Sequence, residues 1–260
     1  MTNFSRRLVS SLRQSRGMIY FSLQMILVLL GALLAVTLGS VGVAVGTSVI
    51  ATGVSGMVVF GWVIFGDIEQ DKRRAADVFG FVTAFPNRSV QIKSEYDIRL
   101  SRASKRIDIM GFGLNSLRED YAGSFRAWAN RAEVRILLVD PESPGGQFTY
   151  ADLRDNEEGN SRGRTSEEIL RFIDDTRELW DNPQVAFSLR LAKTIPSVNM
   201  FRIDEESFWG PYLISPPTKH GRASRNLPTL IVRSPGYMFD RLVDHFEEIW
   251  DNDQLSRAPA

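Results

Sequence analysis

A long uncharged segment dominates the pattern of polar and apolar positions along this chain. No Asp, Glu, Lys or Arg occurs from Gly17 to Gly66, where most residues are Leu, Val, Ile, Ala, Met and Phe. One helix needs roughly 20 apolar residues to cross a bilayer, so this length holds two crossings. Glycines and a serine interrupt the apolar run at residues 38–42. The pattern therefore predicts a two-helix transmembrane hairpin over residues 18–66.

Basic residues flank this hairpin on both sides, and its connecting loop has none. Cytoplasmic flanks of membrane helices are enriched in Lys and Arg, so we expect a two-pass protein of the inner (cytoplasmic) membrane with both termini in the cytoplasm. A cleavable signal peptide is the alternative, but its apolar core would be shorter and would not continue into a second span. The flanking residues are Arg6, Arg7, Arg13 and Arg16 before the hairpin and Lys72, Arg73 and Arg74 after it.

The basic leader, residues 1–17, has two interpretations. Phe4, Leu8 and Leu12 recur every four residues, which fits a short amphipathic helix lying at the lipid headgroups. A disordered basic leader that only sets the topology is the alternative.

Small residues recur every four positions in the second span, as at Gly42 and Gly46 and at Thr52 and Gly56. This spacing lets helix backbones approach closely in lipid, either within the hairpin or between copies of the chain. Gln24 is the only markedly polar residue in the spans, whereas an ion-coupled transporter would be expected to carry an ionisable one. The spans therefore argue against transport and leave a passive pore of several copies open.

Beyond the hairpin, the pattern predicts a charged stalk at 67–89, one α/β domain at 90–254 and a tail at 255–260. Interleaved helices and strands at this length imply a mixed sheet covered on both faces. The polar stretch 141–164 is predicted as a long mobile loop, and Thr165 to Glu168 as the capping box of the next helix. Strands are predicted at 106–111, 134–139, 185–191, 198–203, 207–214 and 229–232, and the other helices at 90–104, 117–132 and 237–250.

Composition excludes several kinds of site. The chain has no cysteine and only two histidines, His220 and His245, which argues against metal centres, thiol chemistry and any cofactor that depends on them. Four of the 31 basic residues precede the first acid, which leaves 27 basic against 31 acidic residues after the hairpin. A mildly acidic domain argues against general nucleic-acid binding.

The run Arg-Ile-Asp-Glu-Glu at 202–206, with Gly210 shortly after it, resembles a half-domain of the phospholipase D-like superfamily. Those half-domains carry His-x-Lys-x4-Asp in a similar order of helices and strands, and the resemblance covers essentially all of 90–254. With Asp204 on the motif's acid, Ser197 stands in place of the histidine and Asn199 in place of the lysine, and no serine follows Gly210. Together with the hairpin predicted from the apolar run, the resemblance predicts an α/β fold with two N-terminal transmembrane helices followed by a single mixed-sheet phospholipase D-like α/β domain.

The two replaced positions decide what chemistry the resemblance implies. In that family the histidine attacks phosphorus and the lysine stabilises the phosphoryl charge. A serine needs an adjacent general base, which is not evident near Ser197, and an asparagine supplies no positive charge. Because oriented charge is usually the largest catalytic contribution, we expect a pseudoenzyme. Halves of this family commonly pair about a two-fold axis, so a single half implies a homodimer or higher homo-oligomer.

A site without catalysis can still bind. Ser197 and Asn199 lie two residues apart on one face of their predicted strand and would line the former pocket. A nearby loop carries potential donors for a small anionic ligand such as a nucleotide, and a solvated basic loop is the alternative. Gly111-Phe112-Gly113 before a helix is a weak signal for a phosphate cradle. The loop donors are Lys219, His220, Arg222 and Arg225.

Three functions fit these features. The first is a membrane-anchored signalling or defence effector, whose cytosolic domain senses an anionic ligand or a partner and acts through the hairpin. The second is a membrane-tethered phosphodiesterase, nuclease or phospholipase with an atypical active site. The third is a non-enzymatic adaptor that holds a partner at the membrane.

Overall fold

A computed structural model describes the chain over residues 3–86, 90–212 and 228–259. The chain divides into two compact units, Met1–Arg74 and Ala75–Ala260. Each unit has its own internal packing.

The first unit consists of two long helices. Helix α1 covers Asn3–Thr37, and helix α2 begins at Gly39 and ends at Phe79. They are separated where the glycines interrupt the apolar run, and Gly39 has a φ of +59° that favours glycine. Two stretches, Ile19–Thr37 and Gly39–Val63, are long and apolar enough to cross a membrane, which is consistent with a membrane protein. Because α1 begins at Asn3, the backbone of the leader is helical and continuous with the first span.

Glycines bring the two helices of the hairpin together. A methyl group added to Gly31 would lie 2.7 Å from the carbonyl oxygen of Gly46, and one added to Gly56 would lie 2.5 Å from Oε1 of Gln24. The side chain of Gln24 is buried between the helices, and this oxygen has no hydrogen-bond partner among the described residues. Small residues of the second span thus serve the packing of the hairpin's own helices, because larger side chains would force these backbones apart.

The second unit is built on one eight-stranded mixed sheet, as the sequence pattern predicts. The strand order is β1-β7-β6-β5-β2-β3-β4-β8, in which β2, β3 and β4 run parallel and all other neighbours are antiparallel. The strands are β1 Phe81–Phe85, β2 Arg106–Gly111, β3 Glu133–Val139, β4 Phe187–Ala192, β5 Val198–Ile203, β6 Glu206–Pro211, β7 Thr229–Arg233 and β8 Ser256–Arg257.

Both edge strands come from segments for which no strand is predicted. Helix α2 continues through the charged residues of the predicted stalk to Phe79, and β1 follows within that stalk. Strand β8 lies in the predicted tail and pairs with the end of β4. The stalk and the tail therefore contribute both edges of the sheet.

Helices cover both faces of this sheet. Helices α3, α5 and α7 cover one face of the sheet with residues such as Leu100, Phe125 and Phe172. Helix α9 covers the other face, where Phe246 and Met110 of β2 belong to one apolar cluster. The helices are α3 Val90–Leu100, α4 Asn115–Tyr121, α5 Phe125–Ala129, α6 Tyr150–Glu158, α7 Arg164–Asp175, α8 Arg177–Trp180 and α9 Tyr237–Asp251.

Three local expectations are wrong. The predicted loop at 141–164 contains α6, whose capping box joins Thr149 and Asp152. The capping box predicted at 165–168 does not form, since α7 already begins at Arg164 and Gly163, which has no side chain, is its N-cap. In addition, a 3₁₀ turn at Ala122–Ser124 divides the helix predicted at 117–132 into α4 and α5.

Candidate functional site

Asn199, in the position of the motif's lysine, lies in the sheet at the end where β2 and β3 finish. Asn199 lies on β5 and is paired with Gly210 of the neighbouring strand β6. The next residue of β5, Met200, is paired with Met110 of β2. The side chain of Asn199 is buried, and a methyl group on Gly210 would lie 3.4 Å from its Nδ2 atom and in closer contact with the carbonyl oxygen of Pro228. Glycine is needed at position 210 because the backbone of Pro228 leaves no room for a side chain.

Ser197 lies at the same edge, just before β5 begins. Its side chain is exposed, and its carbonyl oxygen accepts a hydrogen bond of 2.9 Å from the backbone N–H of Tyr212. Among the described residues, no hydrogen bond joins its hydroxyl to a histidine or a carboxylate. Ser197, which the sequence resemblance aligns with a nucleophile, therefore has no general base among the described residues.

Asp204, the third position of the motif, lies at the opposite end of β5 and has a structural role. Its carboxylate accepts backbone hydrogen bonds from Ser104, Lys105 and Arg106 at 3.0, 2.8 and 2.9 Å. It occupies the turn after β5 with a φ of +51°, which aspartate tolerates better than most residues. Asp204 thus fixes the start of β2 and does not meet the other two positions.

A buried arginine of α6, which the sequence does not predict as a site residue, lies over two aromatic rings of this edge. The guanidinium of Arg154 is 5.3 Å from the ring centre of Phe112 and 5.0 Å from that of Tyr212, and these two rings contact each other edge to face. Arg154 also forms ion pairs of 3.0 Å with Glu157 and 2.6 Å with Glu158. The only signal in the sequence is the spacing of three and four between this arginine and two acids.

The position of α6 is fixed by a contact with α7. Asp155 is buried, and its Oδ1 atom accepts hydrogen bonds from the backbone N–H and the hydroxyl of Thr165, at 2.9 and 2.6 Å. A carboxylate at the start of a helix interacts favourably with the helix dipole. Because Asp155 adjoins Arg154 in α6, this contact holds the arginine in place over the two aromatic rings.

The predicted basic loop cannot be placed beside these groups. Lys219, His220, Arg222 and Arg225 lie outside the described residues. The described residues at the two ends of this loop, however, lie at this edge. The backbone N–H of Tyr212 donates a hydrogen bond to the carbonyl oxygen of Ser197, and the carbonyl oxygen of Pro228 lies against Gly210.

Two other places fit an anion poorly. A methyl group on Gly113 would lie 3.5 Å from Oε2 of Glu168, so an acid adjoins the Gly111-Phe112-Gly113 turn. A surface depression at the end of α9 is lined mainly by acids, including Glu248 and Asp251. Within the described residues, no group of three or more His, Asp or Glu side chains is arranged to hold a metal ion.

Comparison with known proteins gives little. No family model matches the chain, and no curated protein does. One similar solved structure is TrmBL2, described as an archaeal chromatin protein with a novel mode of DNA binding, at 12% identity and a TM-score of 0.42 over 82% of this chain and 70% of that one. Another is phosphatidylserine synthase from Haemophilus influenzae Rd KW20, a phospholipase D superfamily member, at 10% identity and a TM-score of 0.41 over 72% of this chain and 43% of that one. Both likenesses are too low to carry an argument.

Proposed function

We propose that this chain is a membrane-anchored signalling or defence effector whose phospholipase D-like domain binds a small anionic ligand, such as a nucleotide, without catalysis. The observation that carries the proposal is the position of Asn199. It is buried in the sheet at the edge where the chain leaves at Tyr212 and returns at Pro228, and the intervening segment is basic.

The absence of acids from that segment supports an anionic ligand. Residues 213–227 include Lys219, Arg222 and Arg225 but no Asp or Glu. Lysine and arginine form short, charge-assisted hydrogen bonds to phosphate oxygens, and Asn199 adds an amide donor. Ligand recognition would therefore join a fixed group of the sheet to a basic segment anchored beside it.

The surroundings of Ser197 and Arg154 argue against catalysis. The serine is exposed and has no base among the described residues, and the arginine is already paired with two glutamates. Transfer of a phosphoryl group needs an activated nucleophile and unpaired positive charge near the phosphorus. This edge offers the ligand hydrogen bonds rather than a reaction.

The hairpin supplies the output in this proposal. Both termini lie in the cytoplasm, and ligand binding changes how the hairpin packs in the membrane, within one copy or between the copies of a homodimer. The close glycine contacts of the hairpin support this role, because a small displacement of either helix would break them.

The test is a thermal shift of the full chain in detergent with ATP, GTP, cyclic mononucleotides and inorganic pyrophosphate. A ligand at a hundred times its Kd should add about 2.7 kcal/mol of stability, which raises Tm measurably. A triple variant of the basic segment should lose the shift, and a triple variant of exposed arginines elsewhere should keep it. The first is Lys219→Ala, Arg222→Ala, Arg225→Ala and the second is Arg126→Ala, Arg171→Ala, Arg241→Ala.

Two results would contradict the proposal. If no compound in the panel raises Tm, the domain is better explained as an adaptor. If the full chain hydrolyses a model phosphodiester and Ser197→Ala or Asn199→Ala abolishes turnover, the chain is an enzyme with an atypical site.

A further inference from the structure

Strand β1 forms an edge of the sheet that has little protection against pairing. Its backbone pairs with β7 on one side, and no partner strand lies on its outer side among the described residues. Its sequence, Phe-Val-Thr-Ala-Phe, contains no charge and no proline, the residues that usually protect an exposed edge. A bulge between Phe81 and Thr83 is its one irregularity, and pairing with β7 is regular from Thr83 to Phe85.

Exposed apolar side chains adjoin this edge. Val78 is 72% exposed and Tyr237 is 62% exposed, and Phe79, Phe81 and Val82 are each more than a third exposed. We call these five residues the junction patch. Together they form an apolar surface of the kind that marks interaction sites on soluble domains.

The backbone around Gly80 brings the members of the junction patch together. The carbonyl of Gly80 accepts a hydrogen bond of 2.8 Å from the N–H of Arg233, and a methyl group on Gly80 would lie 2.8 Å from Cα of Gly236. Tyr237 follows Gly236 directly, and Phe79 and Phe81 flank Gly80, so the backbones of these three residues adjoin one close contact.

The other edge of the sheet has a different character. Strand β8 has only two residues, and its Arg257 is held by both carboxylate oxygens of Asp140, at 2.6 and 2.9 Å. On β4, the side chain of Arg190 reaches out to Ser256 and Asp253. A second copy would meet charged, ion-paired side chains there, whereas β1 presents no charge.

We propose that β1 is the dimer interface of this protein, where it pairs antiparallel with β1 of a second copy and the two junction patches cover each other. An antiparallel strand edge is complementary to itself about a two-fold axis, because each outward N–H meets an outward C=O. The uncharged sequence removes like-charge repulsion between the two strands.

The connection to the membrane favours a second copy over another partner. Only Gly80 separates β1 from α2, which continues from the second candidate span. Every copy therefore presents β1 at the same distance along the chain from the bilayer, and confinement to one membrane raises the effective concentration of one edge for another. This step rests on the membrane anchoring in the proposed function, but not on its ligand.

The pairing would form one continuous sheet through two copies. Asn199 lies on β5, three strands away from β1, so the two ligand edges stay apart. This arrangement differs from the one that the phospholipase D-like resemblance implies, in which two motifs face each other across the axis.

The cysteine-free chain allows a direct test in membrane vesicles. Val82→Cys, Thr83→Cys and Ala84→Cys are made singly and oxidised, with Leu170→Cys, a half-exposed position on α7, as the control. Opposed residues of paired strands have Cβ atoms about 5 Å apart, near the range that a disulfide spans. At least one of the three should give about tenfold more disulfide dimer than the control, because pairing holds the thiols at a millimolar effective concentration.

Charge on the edge supplies a second measurement that needs no cross-link. Ala84→Lys should raise the dissociation constant of the dimer in nanodiscs by at least tenfold, since like charges would face each other. The control Ile98→Lys, on α3, should leave the measured mass of the dimer unchanged. Equal cross-linking at all four cysteines, or a dimer that Ala84→Lys leaves intact, would overturn the proposal.

Two further outcomes are informative. If a water-soluble maleimide labels Val82→Cys in detergent but not in membrane vesicles, and no dimer forms, the bilayer covers the junction patch and the proposal is wrong. The thermal shift produced by ligand is measured separately from the dimer. A variant that no longer forms the dimer but still shows this thermal shift would leave the proposed ligand site unaffected.

Discussion

Two buried arginines of the α/β unit, Arg135 and Arg154, have similar surroundings and different consequences. Each lies over two aromatic rings and pairs with two acids: Arg135 of β3 contacts Phe246 and Trp250 of α9. Its acids are Asp108 at 2.7 Å and Glu247 at 2.7 Å, from a neighbouring strand and from α9. The acids of Arg154 come from its own helix, three and four residues away.

This difference separates a contact between distant segments of the fold from one within a single helix. The pairs of Arg135 join segments 27 and 112 residues apart, so they form only when the sheet and α9 assemble. Those of Arg154 form within α6 and depend little on the rest of the fold. Loss of the Arg154 pairs would therefore leave the sheet assembled, whereas loss of the Arg135 pairs would weaken the contact between the sheet and α9.

The largest expected effect is at Asp108, which lies between two arginines. Register places it opposite Arg135 and Arg202, with ion pairs of 2.7 and 3.2 Å, and its side chain is 1% exposed. Asp108→Asn removes the buried carboxylate charge that both cations share, while Arg135 keeps Glu247, and it should lower the free energy of unfolding by about 3–5 kcal/mol. Chemical denaturation of the full chain in detergent measures this. Asp120→Asn, which removes an exposed ion pair with Lys93, is the control. Equal losses of stability in Asp108→Asn and Asp120→Asn would show that the buried ion pairs of Asp108 are unimportant.

Arg154→Met should have a smaller effect on stability, of about 1–3 kcal/mol, because it leaves two mostly buried glutamates unpaired. Unlike Asp108→Asn, it should also change the thermal shift that pyrophosphate produces, since the added negative charge lies at the proposed ligand edge. Glu157→Gln is the matched variant, which should strengthen the shift. If both variants leave the shift unchanged, Arg154 is purely structural.

Glu247 should make stability depend on acid pH. The hydrogen bond from Arg135 holds the pKa of Glu247 below its ordinary value. A lowered pKa in the folded state adds stability above the unfolded value of about 4.3, and this stability is lost as pH falls through the folded value. In Tm measurements from pH 7 to 3, Glu247→Gln should be less stable at pH 7 and should lose less on acidification. Parallel curves would contradict this assignment.

The smallest effect is expected from His245 of α9. Burial lowers its pKa, and its Nε2 atom has no partner among the described residues. Folding then favours the neutral form, so stability is complete above the unfolded pKa of about 6.5 and falls as pH drops below it. His245→Asn should reduce the loss of Tm between pH 7.5 and 5.5. An unchanged slope would mean that His245 does not contribute.

Sequence patterns predict the centre of this fold better than its edges. Strands β2 and β3 are buried on both faces because helices cover both sides, and their apolar residues make them visible in the sequence. Strand β1 is short, half-exposed and preceded by charges, so it has the pattern of a stalk. Strand β8 has two residues, too few for any periodicity.

The candidate site was partly predictable. The spacing of Ser197 and Asn199 predicts that both lie on one face of one strand, but Ser197 precedes β5 and is exposed, whereas Asn199 lies in β5 and is buried. The cluster around Arg154 could not be predicted, because Phe112 and Tyr212 lie far from it in the sequence and meet it only through the sheet and α6.

The strand order also has a consequence for synthesis. The partner of β1 is β7, which follows about 145 residues later in the chain. At 5–20 residues per second, β1 emerges roughly 7–30 s before β7 exists, and the hairpin that precedes it is made earlier still. During that interval the apolar strand has no partner within its own chain, so a membrane crowded with newly made copies would be the setting in which misassembly begins.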